Sequence, residues 1–258
     1  MKIISWNING IRTGIKGVQS CLRKYQPDIL CLQETKVIDK EVEVLLQEWR
    51  QHYSYQERQD AQRKGYSGTL CLSNEPYAYQ AGFGISALDK EGRLQVMEYA
   101  DFSLINIYLP SIHDRSSLER QDYRMKFDDE LIELVDSLQA RGEVILCGDL
   151  NAAGQKEDMS NTHQRYGGLE SGFMREDDQT LMGLQELGLV DTFRYKHPNR
   201  DDAYTWWSNK NGKRETNQGC RLDYILVSRG LVSGIKGAEI YTDVKGSDHC
   251  PISVEIDL

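Results

Sequence analysis

The stretch that decides the fold reads Ile145-Leu146-Cys147-Gly148-Asp149-Leu150-Asn151. An apolar run typical of a buried strand leads directly into a carboxylate and an amide. A second stretch, Gly246-Ser247-Asp248-His249-Cys250-Pro251, places an acid and a histidine just before the apolar run 252–256. Polar groups at the ends of rigid strands can be held in a fixed geometry. One such element would be weak evidence, but the chain has at least four, and the set favours metal-assisted hydrolysis of a phosphate ester.

Composition limits the classes of protein to consider. A chain of 258 residues can bury a large core as one domain, so we expect a single domain over residues 1–258. The six cysteines show no Cys-x-x-Cys spacing, which favours reduced cytoplasmic thiols over disulfides or zinc. No run has the length of a membrane span, and the first residues do not form a signal peptide. The net charge of −9 argues against general phosphate neutralisation but allows a phosphate contact made through Mg²⁺ and local cations.

Short β-rich runs alternate with helical patterns along the chain. The predicted strands are 2–6, 28–33, 68–73, 93–99, 102–109, 143–147, 203–207, 222–227 and 252–256. The predicted helices are 18–25, 40–49, 118–139 and 178–187. Two groups of strands with intervening helices favour a sandwich of two sheets covered by helices. The loops at the strand ends should then hold the site.

Three polar residues follow the first two predicted strands. Glu34 closes the run 29–33, and carboxylate oxygens of this kind suit Mg²⁺. A lone Glu after a strand is more often an exposed, solvated residue, so Glu34 gains weight only from its neighbours. Asn7 and Asn9 follow the first strand and are equally typical of a turn.

The later motifs carry the candidate catalytic groups. Asp149 and Asn151 are two residues apart, so they lie on the same side of an extended chain. A carboxylate there can orient and deprotonate water, and an amide can hold a phosphate oxygen, although a capping turn is the plainer alternative. His249 can donate a hydrogen bond to a phosphate oxygen if an acid such as Asp223 holds it. An isolated Asp-His pair is more often structural, and the number of converging motifs reverses that balance.

Seven short motifs, in order along nearly the whole chain, resemble those of the exonuclease III family of apurinic/apyrimidinic endonucleases. This family lies within the wider endonuclease/exonuclease/phosphatase superfamily. The motifs are Trp6-Asn7-Ile8-Asn9-Gly10, Leu32-Gln33-Glu34-Thr35-Lys36, Gly65-Tyr66-Ser67-Gly68, Tyr108-Leu109-Pro110, Gly148-Asp149-Leu150-Asn151, Arg221-Leu222-Asp223-Tyr224 and Ser247-Asp248-His249-Cys250-Pro251. The resemblance implies an α/β fold, a four-layered sandwich of two mixed β-sheets flanked by helices.

The resemblance also implies a Mg²⁺-dependent DNA repair nuclease, with Mn²⁺ as a substitute metal. Such an enzyme hydrolyses the phosphodiester 5′ to abasic sites, removes 3′ blocking groups and 3′ nucleotides from duplex DNA, or does both. The implied partner is duplex DNA with abasic sites or 3′ ends. We expect a monomer with no membrane association, located in the cytoplasm and associated with the nucleoid in a prokaryote.

The resemblance implies a metal site made by residues from several motifs. Glu34 would be the principal ligand, with Asn7 and Asp248 near the metal and with Asp149 and Asn151 completing its surroundings. All of these are oxygen donors, which suit Mg²⁺.

The catalytic roles follow from the later motifs of the family. Asp149 would position and activate the attacking water, and Asn151 would orient Asp149 and the scissile phosphate. His249, paired with Asp223, and Tyr108 would contact the phosphate and stabilise the negative charge of the transition state.

The sequence departs from the family pattern on the substrate side. Ser111 stands where an Asn usually touches the phosphate, Glu170 stands where an Asn is expected, and Cys220 replaces a Trp that packs against the extruded sugar. A smaller side chain at Cys220 predicts a wider, less aromatic pocket lined by Trp206 and Leu222. Trp206 and Trp207 are adjacent on a predicted strand, so they face opposite sides and one should be core. The predicted substrate contacts are Asn9, Ser111, Arg115, Trp206, Cys220 and Leu222.

Two other classes of function remain as alternatives. One is a phosphodiesterase or phosphatase of the same superfamily with a substrate other than DNA, against which the complete motifs 65–68 and 221–224 argue. The other is a non-catalytic relative that binds nucleic acid. Such a relative should have lost a catalytic residue, whereas Glu34, Asp149, Asn151 and His249 are all present.

Overall fold

The computed structural model describes residues 1–37, 41–111, 117–160 and 178–258. The strands are β1 (Lys2–Asn7), β2 (Ile29–Gln33), β3 (Tyr55–Gln59), β4 (Thr69–Ser73), β5 (Ala78–Ala81), β6 (Leu94–Glu98), β7 (Phe102–Tyr108), β8 (Glu143–Asp149), β9 (Val190–Asp191), β10 (Asp223–Val227), β11 (Ile235–Ile240) and β12 (Ile252–Ile256). The α-helices are α1 (Ile11–Tyr25), α2 (Glu41–Trp49), α3 (Ser86–Asp89), α4 (Leu118–Gln139), α5 (Asp178–Glu186) and α6 (Thr192–Lys196). No helix in these ranges is both long enough and apolar enough to cross a membrane.

The strands form two six-stranded sheets. The first sheet has the order β11-β12-β1-β2-β4-β3, and the second has the order β5-β6-β7-β8-β10-β9. Both sheets are mixed, because β1 pairs with β2 in parallel, β7 pairs with β8 in parallel, and the other pairs are antiparallel. Parallel pairing brings the carboxyl ends of β1 and β2 together in one sheet and those of β7 and β8 together in the other. These four ends carry most of the predicted site.

Alternation along each strand explains the four layers. On β8, Ile145 and Cys147 belong to the apolar core between the sheets, whereas Val144 and Leu146 face outward. The outer face of the first sheet packs on α1 and α2, and the outer face of the second sheet packs on α4 and α5. The predicted sandwich of two mixed sheets flanked by helices is confirmed.

Helix α1 begins earlier than the predicted helix 18–25. Its first turns contain Gly14 and Gly17, which weaken the helical pattern of the sequence. Gly17 is required for packing, because a Cβ there would lie 2.4 Å from the carbonyl oxygen of Lys245 and 2.6 Å from the Trp6 ring. The absence of a side chain lets the loop that leads to Ser247 approach the helix closely.

The predicted strand 203–207 is wrong. In the structure this segment runs irregularly and makes only isolated bridges, from Trp206 to Cys220 and from Trp206 to His249. The sequence analysis also missed strands β3, β5, β9 and β11. Each of these has partly exposed residues, and β3, β5, β9 and β11 are the edge strands of the two sheets. Edge strands carry a weaker apolar signal because they are covered less completely.

Candidate active site

Three adjacent loops place Glu34 at the end of the first sheet. The backbone amide of Gly10 donates to the carbonyl oxygen of Glu34 at 2.7 Å, and the amide of Thr35 donates to that of Gly68 at 3.1 Å. Glu34 itself adopts a φ of 51°, which ends β2 and turns its side chain toward the second sheet. Gly68 has a φ of 91°, and a Cβ there would meet the Thr35 hydroxyl at 2.5 Å. The motif 65–68 thus supports the Glu34 turn through the backbone.

Three hydrogen bonds between candidate residues cross from one sheet to the other. Asn7 Nδ2 donates to Asp149 Oδ2 at 2.8 Å. The Tyr108 hydroxyl donates to Glu34 Oε1. His249 Nδ1 donates to Asp223 Oδ2 at 2.8 Å. We call these contacts the cross-sheet pairs; they bring residues from six separate places in the sequence into one site.

Asp149 is buried at the centre of this site. Its Oδ1 accepts from the backbone amide of Asn151 at 2.9 Å, and the Asn151 side chain is fixed in turn by donating to the Leu109 carbonyl at 2.8 Å. Burial raises the pKa of Asp149 to about 7, although the neighbouring His249 and the amide of Asn7 favour its charged form. A carboxyl group with a near-neutral pKa is well suited to take a proton from water.

His249 is held in one orientation by the hydrogen bond from Nδ1 to Asp223. Burial lowers the pKa of this imidazole, but the carboxylates of Asp223 and Asp149 outweigh burial and raise the pKa to about 10. His249 is therefore an imidazolium at neutral pH. Its Nε2 lies 3.8 Å from Asp149 Oδ2, which is beyond hydrogen-bond distance, so this N–H faces Asp149 without a hydrogen bond to it.

A second group of polar residues surrounds Asp248. Its Oδ1 accepts from Asn9 Nδ2 at 2.9 Å, and its Oδ2 accepts from Trp206 Nε1 at 3.3 Å. Lys36 Nζ lies 2.7 Å from Glu34 Oε2 and 2.5 Å from Asn9 Oδ1. The oxygens of Glu34 and Asn9 thus bind a cationic group.

The donor chemistry of this region fits a hard divalent cation. Glu34, Asn7 and Asp248 offer only carboxylate and amide oxygens, and Lys36 shows that oxygens at this place attract positive charge. The described residues also contain a cluster of Asp149, Asp223 and His249 whose ligand atoms lie within 4.8 Å of one another. This acidic centre can hold a divalent metal.

The predicted substrate residues around Trp206 differ in burial. Trp206 is partly buried and borders Asp248, whereas Trp207 is 2 % exposed and belongs to the core, as one of the two was expected to do. Cys220 and Leu222 are 0 % and 2 % exposed and pack beneath Trp206, so their burial does not favour the predicted direct contact with substrate.

Three further residues of the predicted substrate side lie at the edge of the described residues or outside them. The backbone carbonyl of Ser111 accepts from Arg120 Nε at 3.4 Å. Arg115, a predicted substrate contact, and Glu170, the predicted departure from the family pattern, both lie outside the described residues.

Sequence analysis missed several residues that support the site. Arg93 is 2 % exposed, and its guanidinium lies 4.3 Å from the ring centroid of Tyr108 and donates to the Tyr108 carbonyl at 3.1 Å. Gln33 and Asn106 are fully buried at the ends of β2 and β7. The available signal was a polar side chain within an otherwise apolar strand, because such a residue must find a partner inside the protein.

Comparison with known proteins agrees with this geometry. The sequence model of the Endonuclease/Exonuclease/phosphatase family matches residues 4–249. An exodeoxyribonuclease of Bacillus subtilis (strain 168) is 38% identical over 261 residues, which span the whole of both chains. A DNA-(apurinic or apyrimidinic site) endonuclease of Dictyostelium discoideum is 38% identical over 264 residues, covering 100% of this chain and 71% of the relative.

A solved structure extends the comparison to the fold. An AP endonuclease from Archaeoglobus fulgidus superposes with a TM-score of 0.87 at 27% identity, and the match covers all of both chains. The sequence matches and the superposition agree. The chain belongs to the Endonuclease/Exonuclease/phosphatase family and, within it, to the exonuclease III-like apurinic/apyrimidinic endonucleases.

Proposed function

We propose that this protein is a Mg²⁺-dependent DNA repair nuclease. It hydrolyses the phosphodiester 5′ to abasic sites in duplex DNA and removes 3′ blocking groups and 3′ nucleotides with the same site. The similar proteins named exodeoxyribonuclease and apurinic or apyrimidinic site endonuclease support this class of substrate. The observation that carries the proposal is the meeting of the Asn7–Asp149 and His249–Asp223 pairs in one buried site.

Asp149 is the group that activates water in this proposal. Its pKa of about 7 lets it accept a proton near neutral pH, and the amides of Asn7 and Asn151 fix its two oxygens. The water oxygen forms a bond to phosphorus and passes a proton to Asp149, while the bond from phosphorus to the 3′ oxygen breaks and the departing oxygen takes up a proton from solvent water. The products are a 3′-hydroxyl and a 5′-phosphate.

His249 and Tyr108 stabilise charge on the phosphate. The imidazolium of His249 presents its Nε2–H beside Asp149, where it can donate to a phosphate oxygen as negative charge develops. Asp223 holds that imidazolium in place. Tyr108 donates to Glu34 in the structure, so its role on the phosphate requires the hydroxyl to exchange this partner for substrate.

The oxygens of Glu34, Asp248 and Asn7 would hold the divalent ion, with Asp149 and Asn151 nearby. When bound, the ion would supply positive charge next to the scissile phosphate and the departing oxygen. Mg²⁺, with Mn²⁺ as a substitute, suits a set of oxygen donors. Lys36 would then have to share Glu34 with the ion, because its ammonium group already contacts this carboxylate.

We also propose a domain organisation, an oligomeric state and a cellular location for the protein. We expect one domain over residues 1–258 that acts as a monomer on duplex DNA. Its six cysteines are free and buried, which supports a reducing cytoplasmic location, with nucleoid association in a prokaryote. Among the predicted substrate contacts, Asn9 and Trp206 border the site through Asp248.

The test is incision of a labelled duplex that carries one abasic analogue, with Mg²⁺ and with EDTA. Matched duplexes with a 3′-phosphate and with a recessed 3′ end are assayed beside it. We expect Mg²⁺-dependent cutting on the 5′ side of the analogue. Processing of 3′ ends alone would reassign the site to end processing, and absence of all three activities with Mg²⁺ would refute the proposal.

A further inference from the structure

A buried chain of amide side chains joins the two sheets beneath the site. Gln33 Nε2 donates to Asn106 Oδ1 at 2.8 Å and to the Ser5 hydroxyl at 2.9 Å. Asn106 Nδ2 donates to Gln95 Oε1 at 2.9 Å, and Gln95 Nε2 donates to the Glu57 carbonyl at 2.9 Å. The side chains of Gln33, Asn106 and Gln95 are fully buried. We call the contact between Gln33 and Asn106 the amide bridge.

The amide bridge lies next to a cross-sheet pair in both sheets. In the first sheet, Gln33 is the last residue of β2 and immediately precedes Glu34. In the second sheet, Asn106 lies two residues before Tyr108 on β7, so both side chains point into the space between the sheets. The bridge therefore connects the backbone that carries Glu34 with the backbone that carries its partner Tyr108.

Directional contacts are needed at this place. The backbone ladders fix strands within each sheet, but only side chains fix one sheet against the other. Apolar contacts deeper in that layer are not directional and tolerate small shifts, whereas a hydrogen bond weakens steeply when its distance or angle changes. Each of the three cross-sheet pairs contains at least one group that engages substrate or metal in the proposed function. Neither residue of the amide bridge contacts substrate or metal in the proposed function.

We infer that Gln33 is a positioning residue that acts through Glu34. By holding the end of β2 against β7, it sets the place of the Glu34 carboxylate relative to Tyr108 and Asp149. This inference rests on the proposed function. It predicts that loss of the bridge impairs metal binding and turnover more than it impairs binding of DNA.

Gln95 provides a matched control. It is a glutamine of equal burial and contacts the same Asn106, but its own amide nitrogen donates away from the site, to the Glu57 carbonyl of edge strand β3 and to the Tyr79 hydroxyl. Gln33→Leu and Gln95→Leu therefore make the same chemical change, because each removes one side-chain amide from the buried chain. A purely structural role predicts the same functional outcome for both.

The experiment measures kcat and KM on the abasic duplex at saturating Mg²⁺. In a second measurement without DNA, Tm is followed as Mg²⁺ is added, and the Mg²⁺ concentration that gives half of the maximal rise in Tm is determined. For Gln33→Leu we expect kcat to fall ~10- to 100-fold with KM little changed. We expect the half-maximal Mg²⁺ concentration to rise ~10-fold or more. Gln95→Leu should lower Tm comparably and leave kcat and the Mg²⁺ concentration unchanged.

Equal losses in both variants, or an unchanged kcat in Gln33→Leu, would overturn the inference. If Gln33→Leu does not fold, Gln33→Asn is measured in the same way, since it keeps an amide but withdraws it from Asn106 by one methylene. Wild-type kcat in Gln33→Asn would equally overturn it. Failure of the wild-type protein to cut DNA would reject the proposed function instead, and the Mg²⁺ titration of Tm would still test Gln33.

Discussion

The two ends of strand β8 differ in what they place between the sheets. At one end Ile145 is part of the apolar core, and four residues later, on the same face, Asp149 lies at the centre of the site. The same change from apolar to polar occurs on β7, from Leu104 to Asn106 and Tyr108. One layer of the sandwich therefore supports the fold at one end and the chemistry at the other.

The two ends of β8 should differ in whether a substitution there reduces stability or activity. Burying Ile145 removes apolar surface from water and stabilises the fold. Burying Asp149 costs free energy, because burial disfavours its charged form and raises its pKa to about 7. Substitutions at the two ends should therefore give opposite patterns of loss.

The largest expected effect is that of Asp149→Asn. This change keeps the shape of the side chain but removes the group that takes the proton, so kcat should fall about 10²- to 10⁴-fold. The free energy of unfolding should stay the same or rise, because a buried acid is lost beside Asp223. Initial rates on the abasic duplex and urea unfolding of the same preparation test this. Near-normal turnover would remove the mechanism.

His249→Ala should have the next largest effect. It removes the imidazolium that donates to phosphate and leaves Asp223 without its partner, so we expect kcat to fall about 10²- to 10³-fold. Asp223→Asn should reduce kcat through the same imidazole. The double variant should therefore lose less than the product of the two single losses. Fully independent losses would show that Asp223 does not act through His249.

The apolar end should respond in the opposite way. Ile145→Ala leaves a cavity between the sheets, and we expect it to lower the free energy of unfolding by about 2–5 kcal/mol. Its kcat per folded molecule should remain near that of the wild-type protein. Urea unfolding and active-site-normalised rates measure the two quantities. A loss of kcat as large as that of Asp149→Asn would mean that the two ends are not separable.

The same comparison explains which features the sequence could predict. Strands β1, β2, β7 and β8 were predicted closely because their apolar runs are nearly continuous. The ends of these runs also drew attention to Asn7, Glu34 and Asp149, and the family resemblance added Tyr108; the structure brings these four residues together. Polar residues at the ends of buried strands can be recognised from the sequence alone.

Contacts between side chains of the two sheets cannot be recognised in that way. Gln33 meets Asn106 only because the sheets stack, and no local pattern specifies that contact. The burial of Cys220 beneath Trp206 likewise depends on an irregular segment that a strand pattern misrepresented. Tertiary packing determined these features, so sequence periodicity alone could not supply them.

The smallest expected effect concerns the attachment of the catalytic loop to helix α1. A methyl group at Gly17 would meet the Lys245 carbonyl and the Trp6 ring, so Gly17→Ala must displace one of them. We expect the free energy of unfolding to fall by about 1–3 kcal/mol. The displaced loop continues into Ser247, whose hydroxyl donates to the Asn7 carbonyl at 2.8 Å, so kcat should also fall.

Gly142→Ala is the matched control, because a Cβ there meets nothing within 4 Å. It should change neither stability nor kcat, and kinetic assays with urea unfolding compare the two variants directly. If Gly17→Ala loses stability but retains kcat, the loop absorbs the shift before it reaches the site. If kcat falls as well, the polar end depends on the outer helix layer as well as on the two sheets, because the loop that carries its histidine is fixed by close packing on α1.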